Sequence, residues 1–366
     1  MTTTGLVHDY LLVLRGAERS FAAMADRFED APLYTLLYDE AGTQGRFTGR
    51  TITTSYLQRL NIRQDGFRKL LPFFPGAAER LPVSGCDVVL SSSSAFAHGV
   101  RIRPGAIHVC YCYTPLRYAW FEQERALAEV APVLRPVLRA TLARCRSWDR
   151  RVSQHVTRYV AISELSRERI AKYLERDAEV VHPPVEIDRF TAGQPEDFFL
   201  IVCELVRHKR VAVALEAARR AGVRAVVVGT GPDRERLCAL YGDVARFEGR
   251  LGDTELAALY ARALAVVVPN VEEFGITAVE AQAAGRPVLA ADAGGARETV
   301  VSGETGVLFP PGGVDAVAEA MREVDWTRFD ADRCRTHAER FSIGAFQDGI
   351  VGQLRGAGAI VADVPA

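Results

Sequence analysis

Residues Pro269–Gly285 read PNVEEFGITAVEAQAAG, and they hold the chain's densest set of groups able to do chemistry. The pattern describes a strand end, a loop, and a helix that begins near Ile276 and is stopped by Gly285. Gly275 removes a side chain where backbone must come close to something. The amides of Ile276 and Thr277 are left at the positive end of the helix dipole, with Phe274 and Gly275 shaping the approach. A diphosphate suits that geometry. Glu272 and Glu280 flank the turn, eight positions apart. Carboxylates are poor partners for phosphate and good acceptors for vicinal hydroxyls. The arrangement therefore sketches a diphosphate with a sugar-like ring on either side of it.

The rest of the chain must position these groups. At 366 residues it exceeds the size at which single cores divide, so two domains are expected. The first 181 residues carry about six more basic than acidic groups, and the remainder about seven more acidic. The imbalance is too mild for a nucleic-acid partner. Seven scattered cysteines show no CxxC and no zinc spacing, and Cys110 and Cys112 alternate as buried strand thiols would. Leu11–Leu14 is too short for a signal peptide, and no apolar run approaches membrane-spanning length. These features predict a cytoplasmic protein.

Short apolar strands alternate with amphipathic stretches, which argues for α/β layers with parallel sheets. Strands are expected at Gly5–His8, Asp87–Ser91, Ile107–Tyr111 and Thr157–Ile162, with helices at Ala17–Phe28 and, capped by Ser163, at Glu164–Leu174. The segment 183–198, proline-bearing and aperiodic, reads as a linker between an N-terminal domain (1–182) and a C-terminal one (199–339). The second domain opens with strand Phe199–Cys203 and helix Val211–Ala221. Strands follow at Ala225–Val228, Ala265–Val268 and Val288–Ala291. The tail, from about residue 340, is helical in character and predicted to pack back on the first domain.

Taken together, the segment around Gly275 resembles the Glu, seven residues, Glu signature of the family-four retaining glycosyltransferases. Their GT-B fold has two facing Rossmann-like domains. Val181–Phe190 (VHPPVEIDRF) resembles that family's hinge, Val228–Pro232 (VGTGP) and Phe247–Leu251 (FEGRL) its nucleotide-facing loops, Leu205–Val211 (LVRHKRV) its phosphate loop, and Val7–Arg19 its glycine-rich first loop. The resemblance implies a nucleoside-diphosphate sugar as donor and a hydroxyl-bearing acceptor: a glycan, a lipid-linked sugar or a small molecule. Lys209 would meet the phosphates, with Gly16 and Arg15 approaching from the first domain. Glu280 would bind ribose, Glu272 the transferred sugar, Gly249 and Arg250 would lie near the base, and Gly231 would bind the donor from its nucleotide-facing loop. The branch it looks closest to implies GDP-mannose. Reaction would be same-face substitution without a metal or other cofactor, Lys209 and the helix end stabilising the leaving diphosphate.

Three positions depart from the family's pattern. Tyr113 stands where a His is usual, which keeps a backbone carbonyl beside the reacting carbon but not imidazole chemistry. Glu204 replaces an Arg, and Arg15 precedes Gly16 where two glycines are usual. A dehydrogenase fits less well, because Gly229-x-Gly231 is followed by Arg234 in place of the third glycine. A phosphorylase, an epimerase or a binding-only relative is the remaining alternative. Asp330-x-Asp332 falls in a late connection and reads as capping or solvent-facing. Arg59, Arg63, Arg68 and Lys69 interleave with Leu57, Leu60, Phe67, Leu70 and Leu71, and a second basic series runs from Arg135 through Arg139, Arg144, Arg146 and Arg150 to Arg151. Such stretches either cover a core or rest peripherally on an anionic membrane face.

Overall fold

The computed structural model describes residues 2–60 and 66–361. The chain forms two compact units: one runs to His182 and is completed by the chain from Phe346 onward, and the other is Pro183–Ala345. Each is built on one parallel sheet. In the first unit β1 (Thr4–Leu11), β2 (Leu33–Tyr38), β3 (Ile52–Thr54), β4 (Val88–Ser93), β5 (Ile107–Cys112), β6 (Arg158–Ala161) and β7 (Ala178–Val180) lie in the order β3-β2-β1-β4-β5-β6-β7. In the second, β8 (Phe199–Val202), β9 (Ala225–Val228), β10 (Ala245–Gly249), β11 (Ala265–Val268), β12 (Val288–Ala291) and β13 (Gly306–Phe309) are ordered β10-β9-β8-β11-β12-β13.

Both orders run outward from the first strand in two directions. Each therefore leaves a crevice at the carboxyl ends of its central pair, β1/β4 or β8/β11, where such sheets bind ligands. Burial on both faces explains why β9 and β11 share the sequence AVVV, with every residue buried. The strands β2, β3, β7, β10 and β13 were not anticipated. Most are short or lie at sheet edges, and β10 takes in the first half of FEGRL, which the sequence suggested was a loop. The helix Glu164–Leu174 starts as expected, with the Ser163 side chain accepting from the Ser166 amide. Asp330 caps the helix Ala331–Glu339, accepting from the amides of Asp332 and Arg333, which accounts for the DxD pattern.

The tail helix Ile343–Gly356 contributes to the first unit from Phe346 onward. Phe346 meets Tyr111 edge-on at 5.3 Å, Gln347 donates to the Ala23 carbonyl at 2.8 Å, and Ile350, Val351 and Leu354 are buried. All seven cysteines are free, and Cys110 and Cys112 are buried in β5. Among the described residues no helix is long and apolar enough to cross a membrane.

The basic stretch near residue 60 serves the core of the first unit. Leu57, Leu70 and Phe74 are buried in that core, with Phe67 and Leu71 packed against it. Arg63 lies outside the described residues. In the second series, Arg146 donates to the Ala119 carbonyl, Arg150 lies over Trp120, and Arg151 pairs with Glu79 at 2.8 Å.

The long helix Arg135–Ser153 is bound to the β4 side by a buried ionic contact. Asp149 is fully buried, 2.9 Å from His98 Nε2 and out of line for a straight hydrogen bond, so charge holds the pair. Trp120 Nε1 donates to the other carboxylate oxygen at 2.5 Å. Burial pushes the His98 imidazole down, but the Asp149 carboxylate beside it more than reverses this, and His98 titrates above its ordinary value. A raised histidine stabilises the fold fully below the unfolded value, about 6.5, and that contribution is lost as pH rises through the folded value. The melting-temperature gap between the protein and its His98→Gln variant should therefore be widest near about pH 5 and shrink towards about pH 8. A gap that is flat or widens with pH refutes the charged pair.

Candidate functional site

The crevice between β8 and β11 collects most of the residues singled out by the sequence. After β8 the chain enters Leu205, whose amide donates to the Thr230 carbonyl at 2.8 Å. It then makes a tight turn over Arg207–Lys209 and leaves it at Arg210, in left-handed backbone with φ of 54°. That turn aims Lys209 at the end of β11, where Lys209 Nζ donates to Glu272 Oε1 at 2.5 Å. Asn270 Nδ2 donates to the same oxygen at 2.9 Å. Both charged side chains are about a quarter exposed, 23% and 24%. A cation suited to phosphate and a carboxylate suited to hydroxyls thus stand in contact and open to solvent. Lys209 pairs here with Glu272, while Glu204 is exposed.

The helix Ile276–Ala283 begins where the sequence placed it. Gly275 is its N-cap with φ of 94° and ψ of 60°, a conformation costing any L side chain roughly 1–2 kcal/mol. A Cβ at Gly275 would meet only ordinary contacts, the nearest being Glu272 Cβ at 3.8 Å. The glycine is thus required by backbone conformation, and no protein atom crowds the place a side chain would take. The amides of Ile276 and Thr277 lie in the first turn, where no intrahelical acceptor exists, and no acceptor among the described residues takes them. Phe274 differs from its expected role in that its side chain is buried and packs on Phe341 at 5.5 Å.

Several supporting residues escaped the sequence reading. Gly295 donates its amide to the Glu272 carbonyl at 2.9 Å, and a Cβ there would come within 2.1 Å of the Phe274 carbonyl. The Gly294–Gly295 pair was legible as a turn, though its use as a floor for this loop was not. Tyr260, wholly buried, donates its hydroxyl to Glu280 Oε2 at 2.7 Å. Burial and then the Glu280 charge push that phenol up, so it remains a donor and fixes the carboxylate. Behind the helix, Gln282 Nε2 donates to the carbonyls of Ala278 and Thr299, which leaves its oxygen to accept from His337 Nδ1 at 2.7 Å.

The glycines after β9 pack this site together. A Cβ at Gly229 would lie 1.9 Å from the Cys203 carbonyl, and one at Gly231 2.4 Å from the Leu205 carbonyl. The Gly229 amide donates to the Gly249 carbonyl at 2.7 Å, which brings the ends of β9 and β10 together. Gly231 therefore seats the loop that leads to Lys209. Gly249 has open space around it, and Arg250 beyond it is exposed.

In the first unit, Arg15, Gly16 and Tyr113 gather at the β1/β4 crevice. The Arg15 amide donates to Glu18 Oε2 at 2.9 Å, and Gly16 opens the helix Gly16–Arg27. Tyr113 is buried, and its hydroxyl reaches the Ala17 carbonyl at 2.9 Å and Ser92 Oγ at 3.0 Å. His8 Nδ1 lies 3.0 Å from the same Ser92 Oγ. A carbonyl only accepts, so the chain has one direction: His8 donates to Ser92, Ser92 to Tyr113, and Tyr113 to Ala17. Burial raises the Tyr113 phenol further, so its proton stays on that bond. Its main-chain carbonyl accepts from Ser166 Oγ at 2.7 Å. Asp9, one residue after His8, is buried and accepts from the amides of Ser94, Phe96 and Ala97 at 2.6, 2.7 and 2.6 Å.

Comparisons with known proteins agree with this geometry. The profile of the family described as glycosyl transferases group 1 matches residues 185–339. A glycogen synthase of Mycobacterium tuberculosis is 48% identical over 80 residues, 22% of this chain and 19% of that protein. A GDP-mannose-dependent alpha-(1-6)-phosphatidylinositol monomannoside mannosyltransferase of the same species is 32% identical over 252 residues, 56% of this chain and 66% of the relative. The chain thus spans between a fifth and just under two thirds of the length of these relatives. Among solved structures, Anabaena HepE in complex with UDP superposes with a TM-score of 0.70 at 17% identity, covering 97% of this chain and all of that one. The sucrose-phosphate synthase of Thermosynechococcus elongatus gives 0.71 at 16%, covering 98% and 100%. Residues 185–339 thus match the glycosyl transferases group 1 family, and the likeness to these solved structures gives the chain a GT-B fold.

Proposed function

We propose that the protein is a retaining glycosyltransferase that moves a hexose from a nucleoside-diphosphate sugar to a hydroxyl acceptor, with GDP-mannose as the first donor to try. The observation that carries this reading is the Lys209–Glu272 contact at 2.5 Å, set beside a glycine-capped helix whose first amides have no acceptor among the described residues. The donor diphosphate would take Lys209 and the amides of Ile276 and Thr277. Glu272, held by Asn270, would then accept from hydroxyls of the sugar, and Glu280, held by Tyr260, from those of the ribose. The mannosyltransferase relative names GDP-mannose, whereas HepE was solved with UDP and with UDP-glucose, so both bases belong in the test.

In the reaction, the bond between the sugar's anomeric carbon and the phosphate oxygen breaks while the acceptor oxygen bonds to that carbon from the same face. The acceptor proton passes to an oxygen of the departing diphosphate. Lys209 and the helix amides stabilise the growing charge on that group, which is where such catalysis gains most, and this charge supply requires no metal. Tyr113, its proton committed to Ala17, acts as a positioning residue that fixes the loop through Arg15 and Gly16.

A thermal-shift series with nucleoside diphosphates and nucleotide sugars tests the donor site, since ligand bound to the native state raises the melting temperature. At least one guanosine or uridine diphosphate should stabilise the protein, and Lys209→Ala should abolish the shift. A flat series with folded protein overturns the reading, and binding without any sugar transfer would identify the binding-only relative. Retention would appear as an unchanged anomeric configuration in the product's NMR spectrum.

Glu280→Ala should weaken nucleotide binding more than Glu272→Ala, which should mainly lower turnover. The reverse order would exchange the two roles. Tyr113→Phe should leave nucleotide binding intact, lower turnover severalfold and speed hydrogen exchange at the amides of residues 15–19. Unchanged exchange there would mean the hydroxyl does not hold the loop.

A further inference from the structure

The basic, apolar start of the helix Arg135–Ser153 stands out from the first unit. From Ala131 to Ala140 every residue is exposed except Leu138, which is half-buried. The exposed residues include Val133 at 80%, Val137 at 66% and Leu134 at 53%. Pro132 opens a single turn over Pro132–Leu134 and Pro136 lies in the first turn of the helix, so the projection is a stiff knuckle. Arg135 and Arg139 stand four residues apart on one side of it, and Arg144 follows. None of these three has an ion-pair partner among the described residues, whereas Arg146, Arg150 and Arg151 of the same helix are all engaged within the fold. The carboxylates that flank them in sequence are taken up elsewhere, Glu129 by Arg125 and Arg68 and the buried Asp149 by His98 and Trp120. Alongside the helix runs a groove of about 690 Å³, lined by Pro72, Pro75, Thr141, Arg144 and Trp148. Phe73, between the two prolines, is 55% exposed.

We propose that this knuckle is a docking element for an anionic lipid bilayer, with Val133, Leu134 and Val137 entering the apolar boundary and Arg135, Arg139 and Arg144 meeting the headgroup charge. Two features select a bilayer as the occupant. The exposed apolar side chains Val133, Leu134 and Val137, at i, i+1 and i+4, share one side of the helix start, with Arg135 and Arg139 on the adjoining side, which is the basic amphipathic pattern of a helix lying in a bilayer interface. The unpaired arginines supply a field of one sign at the same depth, and such clusters favour acidic headgroups over zwitterionic ones. Long arginine stems can follow the apolar residues inward while the guanidinium groups stay at the interface.

Vesicle co-sedimentation tests this without donor or turnover, so its outcome is separate from that of the donor-site reading. The intact protein should be retained by vesicles of phosphatidylcholine and phosphatidylglycerol in equal parts, not by phosphatidylcholine alone, and retention should weaken with added salt. Val133→Asp with Val137→Asp should reduce retention at least about tenfold, as should Arg135→Glu with Arg139→Glu. These positions are exposed, so an unchanged melting temperature would show that each variant is folded. Absence of retention, or variants retained like the parent, overturns the proposal. So does a concentration-dependent dimer in light scattering that the valine variant abolishes, because a second copy would then be the occupant.

Discussion

The left-handed backbone at Gly275 is the constraint on which the candidate site of the second unit depends. One residue with φ of 94° turns the chain from the end of β11 into a helix and leaves the amides of Ile276 and Thr277 without an acceptor among the described residues. The rest of the neighbourhood holds that turn in place. Gly295 lies under it because any larger residue would strike the Phe274 carbonyl, and Phe274 itself is anchored on Phe341. The helix is held from behind by Gln282 and His337. A first-turn amide without a partner has a real desolvation cost when covered, so the fold has invested rigidity in groups that help stability little by themselves. That is how binding sites commonly differ from the cores around them.

The two sheets share one strand order and use their crevices in opposite ways. At β1/β4 the polar groups satisfy each other: Asp9 takes three amides, and His8, Ser92 and Tyr113 form a directed chain ending on Ala17. Buried polar networks of this kind rigidify when fully satisfied. At β8/β11 the equivalent groups stay open to solvent, with Lys209 and Glu272 each about a quarter exposed. The same topology therefore yields a self-contained scaffold in one unit and an open, charged surface in the other.

Much of this could be read from the residues because the central strands are buried on both faces. Runs such as AVVV at Ala225–Val228 and Ala265–Val268 carry an unambiguous signal, and helix starts at Ser163 and Gly275 are fixed by local chemistry. Edge strands gave no such signal: β3 and β7 are three residues each, and none of their residues is fully buried. At the site, Lys209, Glu272 and Glu280 were legible because their types suit phosphate and hydroxyls. Asn270, Tyr260 and Gly295 were not, because their roles arise from contacts between segments distant in sequence or from fit against a carbonyl. Of the apolar residues near residue 60, Leu57 and Leu70 turn inward under β1 and β2, while Leu60 and Phe73 stay exposed. Further exposed apolar residues lie around Val133, which periodicity alone does not separate from core positions.

The return of the chain at Phe346 bears on how the molecule is made. Phe346, Ile350, Val351 and Leu354 are core residues of the first unit, yet they are synthesised after the whole of the second. On the ribosome, domains generally fold in order of emergence. Here the order is inverted at its end: the unit begun first is the last to be sealed. Until the final helix emerges, the outer side of Tyr111 lacks its Phe346 partner and the Ala23 carbonyl lacks the Gln347 amide. A chain released early would carry a complete second unit beside an unfinished first one, a species that quality control could recognise by its bare aromatic surface.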